Sequence, residues 1–181
     1  MNKRFILMAV LANISLFSAP IINAESSVFT NIGAFSNMKA TDEHQYGIEV
    51  RLWKEGTEVF GTFCHSEGLI GDTPIGYIEE FKNNSRTGKL SFKSKLTTGS
   101  HYCKIHEGVP ARDLYIFQGK ISNSSISGML EYFDGLHPEK PPVQKKILLV
   151  KMESDDSLRF KNRSEWQAFY DEVMKFRGPK W

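Results

Sequence analysis

The sequence predicts a mainly β fold: an antiparallel up-and-down meander of about seven or eight short strands closing into a small barrel, with a C-terminal α-helix packed on its outside. Three features carry this expectation. Short runs of alternating apolar and polar residues recur along the chain, separated by turn residues, and each run needs one dry face and one wet face. The cleanest, residues 88–96, sets Leu90, Phe92, Ser94 and Leu96 against Lys89, Ser91, Lys93 and Lys95. Beyond residue 160 the apolar period changes from strand-like to helical, at Trp166, Phe169, Tyr170, Val173 and Phe176. Sequential hairpins favour closure because a barrel leaves no unpaired edge.

Residues 1–24 read as an export signal. Lys3 and Arg4 open it, an apolar stretch from Phe5 to Phe17 follows, Pro20 interrupts it, and Ala24 supplies the small residue at the cut. Cleavage there leaves residues 25–181 as one periplasmic or secreted domain. Removing Lys3 and Arg4 takes the 23 basic residues to 21, against 21 acidic ones, so the exported chain is neutral and lacks the basic footprint of a nucleic-acid binder. Cys64 and Cys103 are the only cysteines. In an oxidising compartment they are expected to form a disulfide, worth about 4 kcal/mol through restriction of the unfolded chain.

Residues 27–33 read as a short strand, with the start of a loose helix running into Met38 as the alternative. The meander continues with 46–53, where Ile48, Val50 and Leu52 share a face, turns at Gly56, and returns over 57–65 with Val59, Gly61 and Phe63 opposite Phe60 and Cys64. The glycine-rich stretch 67–76 could cradle phosphate only if a helix opened directly behind it; a strand follows instead. In that strand, 75–81, Ile75, Tyr77, Glu79 and Phe81 are assigned to the inner face. Strands at 113–121, 126–133 and 144–152 complete the wall. The proline-rich crossing at 136–142 cannot be a paired central strand. Asn-x-Ser triplets at Asn83, Asn123 and Asn162 fall in turns.

Ser164 and Gln167 form a capping-box pattern that opens a helix over 164–177, and Gly178-Pro179 ends it. The stretches 114–117 and 147–150 are apolar on both faces, so the helix is expected to lie across them. A helix on the outside of a small exported meander barrel resembles the calycin plan of the lipocalins and their relatives. The resemblance implies a fold only, because no Gly-x-Trp stands near the first strand, and it carries no ligand or site.

Four sets of residues could act. The loops at 66–74 and 99–112 offer a rim for recognising another exported protein, as an inhibitor or immunity factor does, with Tyr102, Lys104, Glu107 and Arg112 as contacts. Tyr77, Glu79, Phe92 and Tyr132 would line the interior if the barrel instead carried a small apolar ligand. His65, His101 and His106 flank the cysteines and would suit zinc or copper if the thiols were reduced. An outer-membrane barrel is a further alternative, opposed by the terminal helix and the lysine face. Neither a catalytic motif nor a cofactor signature is present, so the expected protein is non-enzymatic, cofactor-free and not stably inserted in a membrane.

Overall fold

Strands form wherever the sequence alternates, and they follow one another with short turns: β1 Phe29–Ser36, β2 Lys39–Ala40, β3 His44–Glu55, β4 Glu58–Leu69, β5 Ile75–Asn84, β6 Lys89–Leu96, β7 Asp113–Ile121, β8 Ser125–Asp134 and β9 Val143–Lys151, then α1 Arg163–Arg177. The computed structural model describes residues 28–69, 73–101, 104–153 and 159–181. The export signal expected at 1–24 lies outside them.

Each strand from β3 to β9 pairs antiparallel with the next, and β1 pairs with both β3 and β9. That double pairing closes an eight-stranded barrel, with the two-residue β2 lying outside it against β3. Closure therefore depends on β1, the segment with the weakest alternation. A bulge between Asn31 and Gly33 interrupts its register, and Gly33 takes a φ of 137° there, which only glycine adopts readily. The small calycin-like barrel with an outer helix is thus the architecture of the chain.

The inside is packed. Ile48, Val50 and Leu52 from β3, Phe63 from β4, Ile78 from β5, Leu90, Phe92 and Leu96 from β6, Tyr115 and Phe117 from β7, Ile126 and Leu130 from β8, and Ile147 and Leu149 from β9 form one buried cluster with Phe35 of β1. Phe92 stacks on Phe117 at 5.1 Å between ring centroids and tilts against Phe63 at 6.0 Å. An eight-stranded barrel is just wide enough for its own side chains to fill it. Gly119 and Gly128 face one another across β7 and β8, and a Cβ at either would come within 2.8 Å of the tip of the Phe117 ring. The glycine pair makes room for that ring.

Three assignments to the inner face, Ile75, Tyr77 and Glu79, are corrected by β5. Its pairing with β6 runs from Glu79–Lys93 to Lys82–Ser91, and Glu80 sits at a φ of 49° in the resulting bulge. Before the bulge Ile78 faces inward and Tyr77 outward, while Glu79 is exposed; after it Phe81 packs against the core. Of the proposed interior residues, Phe92 and Tyr132 face in, and Tyr77 and Glu79 do not. The extra residue in the bulge changed the phase of the alternation.

The helix lies on the outer wall, but not over the doubly apolar strands. Trp166 and Tyr170 pack with Trp53, Phe60, Cys64 and Ile75, and Tyr77 joins the cluster, so α1 covers β3, β4 and β5. Leu148 and Val150 on β9 stay 56% exposed. Aromatic surface decides the docking site: Trp53, Phe60 and Tyr77 stand on the outer face of adjoining strands, and all three meet Trp166 within 5.7 Å. Polar contacts fix the helix at both ends. Arg163 donates to both carboxylate oxygens of Glu58, at 2.6 and 3.0 Å, and Arg177 donates to the Thr73 carbonyl at 2.6 Å. The N-cap is Asn162 rather than Ser164. Its side chain accepts the Glu165 amide at 3.0 Å, and Glu165 reaches back to the Lys161 amide at 2.9 Å. Past the helix, the Trp181 indole donates to the Leu96 carbonyl at 2.8 Å, which ties the C-terminus to the end of β6.

The expected disulfide is also corrected. Cys64 is a free, buried thiol on the outer face of β4, covered by the helix, and Cys103 lies outside the described residues. Alternation explains the position: His65 points into the barrel, so Cys64 must point outward, into the space that Trp166 and Tyr170 seal. Burial, with the Glu49 carboxylate adding to it, pushes the thiol up to about 12. Cys64 is therefore expected to resist alkylation in the folded protein. In denaturant without reductant it should label fully, which peptide mass spectrometry reads; labelling only after reduction would restore the bridge.

Candidate functional site at the barrel mouth

The strand registers send four connections to one end of the barrel. These follow β1, β4, β6 and β8, whereas the opposite end closes with tight turns at Gly56, Gly88 and Ser122–Ser125. The longest connection, 97–112, folds back on itself. Ser100 bridges Pro110, the His101 amide donates to the Val109 carbonyl at 2.9 Å, and the Val109 amide donates to the His106 carbonyl at 3.0 Å. Local pairing thus holds both histidines on one ribbon. The Gly135 amide donates to the Arg112 carbonyl at 2.6 Å, joining this ribbon to the connection after β8.

Two polar groups occupy the mouth. The inner one surrounds Asp113, which is fully buried. Its carboxylate accepts the Thr98 amide at 2.9 Å, the Thr98 hydroxyl at 2.6 Å and the Tyr132 hydroxyl at 3.0 Å, so the charge is satisfied by three donors. Beside it the Tyr115 hydroxyl meets His65 Nδ1 at 2.9 Å, and His65 Nε2 stands 3.3 Å from Glu67. Burial and then the nearby Asp113 charge push the Tyr115 and Tyr132 hydroxyls well above the ordinary phenol range, so both remain protonated donors. Thr98, Tyr132, Tyr115, His65 and Glu67, with Ile48, Leu130, Val143 and Lys145, line a cavity of about 210 Å³.

Burial lowers His65 below its ordinary value of 6.5; Lys145 adds to the effect, while the Glu67 and Asp113 charges and the Glu67 hydrogen bond oppose it. A depressed folded value means the unfolded chain takes up protons first. The stability tied to neutral His65 is complete above pH 6.5 and is lost as the pH falls through the folded value. Acidification from about pH 7 to about pH 5 should lower the melting temperature of the wild type more than that of a His65→Gln variant. Equal slopes would show that His65 is not what titrates.

The outer group joins three histidines. His137 Nδ1 lies 2.7 Å from Asp134 Oδ2, and His101 Nε2 lies 3.7 Å from Oδ1 of the same carboxylate. The His106 ring stands 5.2 Å from that of His137 and 6.4 Å from that of His101. The Leu136 amide donates to Asp134 at 3.0 Å, and Lys140 approaches it at 3.8 Å. Burial would raise the Asp134 carboxyl, but the His137 hydrogen bond, the Leu136 amide and the neighbouring histidine charges outweigh it and hold the group below the usual carboxylate range.

The structure brings His101 and His106 together and separates His65 from them, because His65 belongs to the wall and its ring turns into the mouth. Lys104, Glu107 and Arg112 are exposed on the long ribbon, and Tyr102 lies outside the described residues. Sequence reasoning missed Asp134 and His137. The available signal was a histidine placed just before Pro138 in a segment read only as a strand breaker. No protein-family model, curated protein or solved structure matches the chain.

Proposed function

We propose that this is an exported, non-enzymatic binding protein that recognises another exported or periplasmic protein through the loops at the barrel mouth, in the manner of an inhibitor or immunity factor. The observation that carries the reading is the filled interior. With Phe63, Phe92 and Phe117 at most 2% exposed, the barrel's inside is given over to its own packing, and recognition falls to its surface. The mouth is where that surface is irregular. Ile105, 86% exposed, lies at the tip of the long ribbon with the exposed Lys104 and Glu107 on either side of it in the chain, and Arg112 is exposed at the ribbon's base. Recognition surfaces commonly pair an apolar anchor with a polar rim.

The alternative, a carrier of a small apolar ligand, has less support. The mouth cavity of about 210 Å³ is smaller than ordinary ligand pockets of about 300–1,000 Å³, and it is edged by His65, Glu67 and Lys145. A membrane barrel has the reverse polarity, with a polar lumen and an apolar belt. Here the lumen is apolar, and Lys89, Lys93 and Lys95 are on the outside.

Affinity capture from the periplasmic or secreted fraction of the native host tests the proposal, with two baits compared. One is the wild type; the other carries Lys104→Glu, Ile105→Asp, Glu107→Lys and Arg112→Glu. The expected result is a partner enriched by the wild type and lost by the variant, with both baits melting alike. Enrichment of nothing, or of the same proteins by both baits, would refute it.

A further inference from the structure

We propose that His101, His137 and Asp134, completed by His106, form a binding site for a divalent transition-metal ion, with zinc as the best-fitting occupant. Ring spacing carries the inference. A tetrahedral ion bound to imidazole nitrogens at about 2.0–2.1 Å places the centroids of its rings roughly 5.2 Å apart. The centroids here are 5.2 Å apart for His106–His137 and 5.4 Å for His101–His137, with 6.4 Å for His101–His106. Ligand atoms of His101, Asp134 and His137 already lie within 4.8 Å of one another. His106 completes the set by turning its ring on the exposed part of the ribbon.

The chemistry of the donors agrees with the spacing. Three imidazoles and one carboxylate make an N3O set, which suits zinc and accommodates copper, nickel or cobalt, while magnesium and calcium prefer oxygen ligands. The cluster is half-buried, with the side chains of His101, Asp134 and His137 between 13% and 20% exposed, so an ion would be partly shielded and still reachable from solvent. The backbone is fixed before any ion arrives. His101 and His106 are held by the hydrogen bonds of the ribbon, and His137 by its own amide donating to the Asp134 carbonyl at 3.1 Å. Lys140 competes for Asp134, but its side chain is 58% exposed and can swing into water. A bound ion would clamp the 97–112 ribbon to the connection after β8 and so stiffen the mouth. The proposal does not depend on the identity or existence of a protein partner, since it concerns the purified chain alone.

The test is a zinc titration of the chelator-stripped full chain at neutral pH, in competition with a chromophoric chelator. His137→Ala, Asp134→Asn, His101→Gln and the distant His44→Ala are run in parallel. One zinc per wild-type chain at submicromolar affinity is expected. The His44 variant should match it, and each of the other three should bind at least tenfold more weakly. Imidazole NMR signals of the wild type provide a readout that needs no variant to fold: zinc should shift those of His101, His106 and His137 and leave His44 in place. Binding weaker than micromolar would overturn the site, as would affinity unchanged in both Asp134→Asn and His137→Ala or shifts confined to other histidines.

Discussion

Replacing Trp166 with alanine is expected to cost about 3–5 kcal/mol and to free the helix from the wall. Trp166 is 2% exposed and touches the rings of Trp53, Phe60, Tyr77 and Tyr170 at centroid distances from 4.7 to 5.7 Å. Its removal leaves a void between α1 and three strands, and two large rings lose a face each. Apart from the reduced packing of Tyr170 on Trp53, the remaining anchors are surface contacts such as the Tyr77–Asp171 hydrogen bond and the Arg163–Glu58 ion pair, the latter worth about 1 kcal/mol or less. They cannot hold the helix alone. Urea unfolding should show the loss, and hydrogen exchange should show amide protection falling in α1 more than in β6–β8. Trp166→Phe should lose much less, since the indole N–H of Trp166 has no hydrogen-bond partner among the described residues. An alanine variant within about 1 kcal/mol of wild type would mean the helix is dispensable to the barrel.

Phe92→Ala should be comparably costly, at about 3–5 kcal/mol, for a different reason. The ring stands at the centre of the barrel, 2% exposed, between Phe63 and Phe117. Strands joined by continuous hydrogen-bond ladders cannot collapse inward to fill the gap, so most of the vacated volume persists as an apolar cavity. Engineered cavities of this kind stay dry and admit small apolar probes. The variant is therefore expected to bind xenon or benzene, detected by NMR, where the wild type binds neither. Uptake by the wild type would show spare room inside the barrel and would favour the carrier reading over recognition at the rim.

Much of this architecture was legible in the residues. Alternation alone located β3 to β9 to within a few residues, because a half-buried strand has to repeat every second position, and 88–96 shows that repeat without interruption. The helix was equally plain from Trp166 to Val173. What failed has a common cause: a strand's phase can shift in a way that composition does not announce. One bulge at Glu80 separates Phe81, which faces in, from Ile75, Tyr77 and Glu79, which face out. The docking face of the helix was misjudged because the apolar runs at 114–117 and 147–150 outweighed Trp53, Phe60 and Tyr77, whose importance lies in being adjacent across strands. The disulfide expectation rested on compartment and count, whereas Cys64 is a free thiol buried beneath the helix. The histidine cluster was half visible: His101 and His106 are close in sequence, but Asp134 and His137 join them only through pairing of the two mouth connections.

Native mass spectrometry of the protein purified from its own host tests most directly whether the barrel is a filled scaffold acting through its mouth. The account predicts the mass of the polypeptide, alone or with a single metal ion, and no organic adduct. An organic molecule retained in the native spectrum and released on unfolding would contradict it.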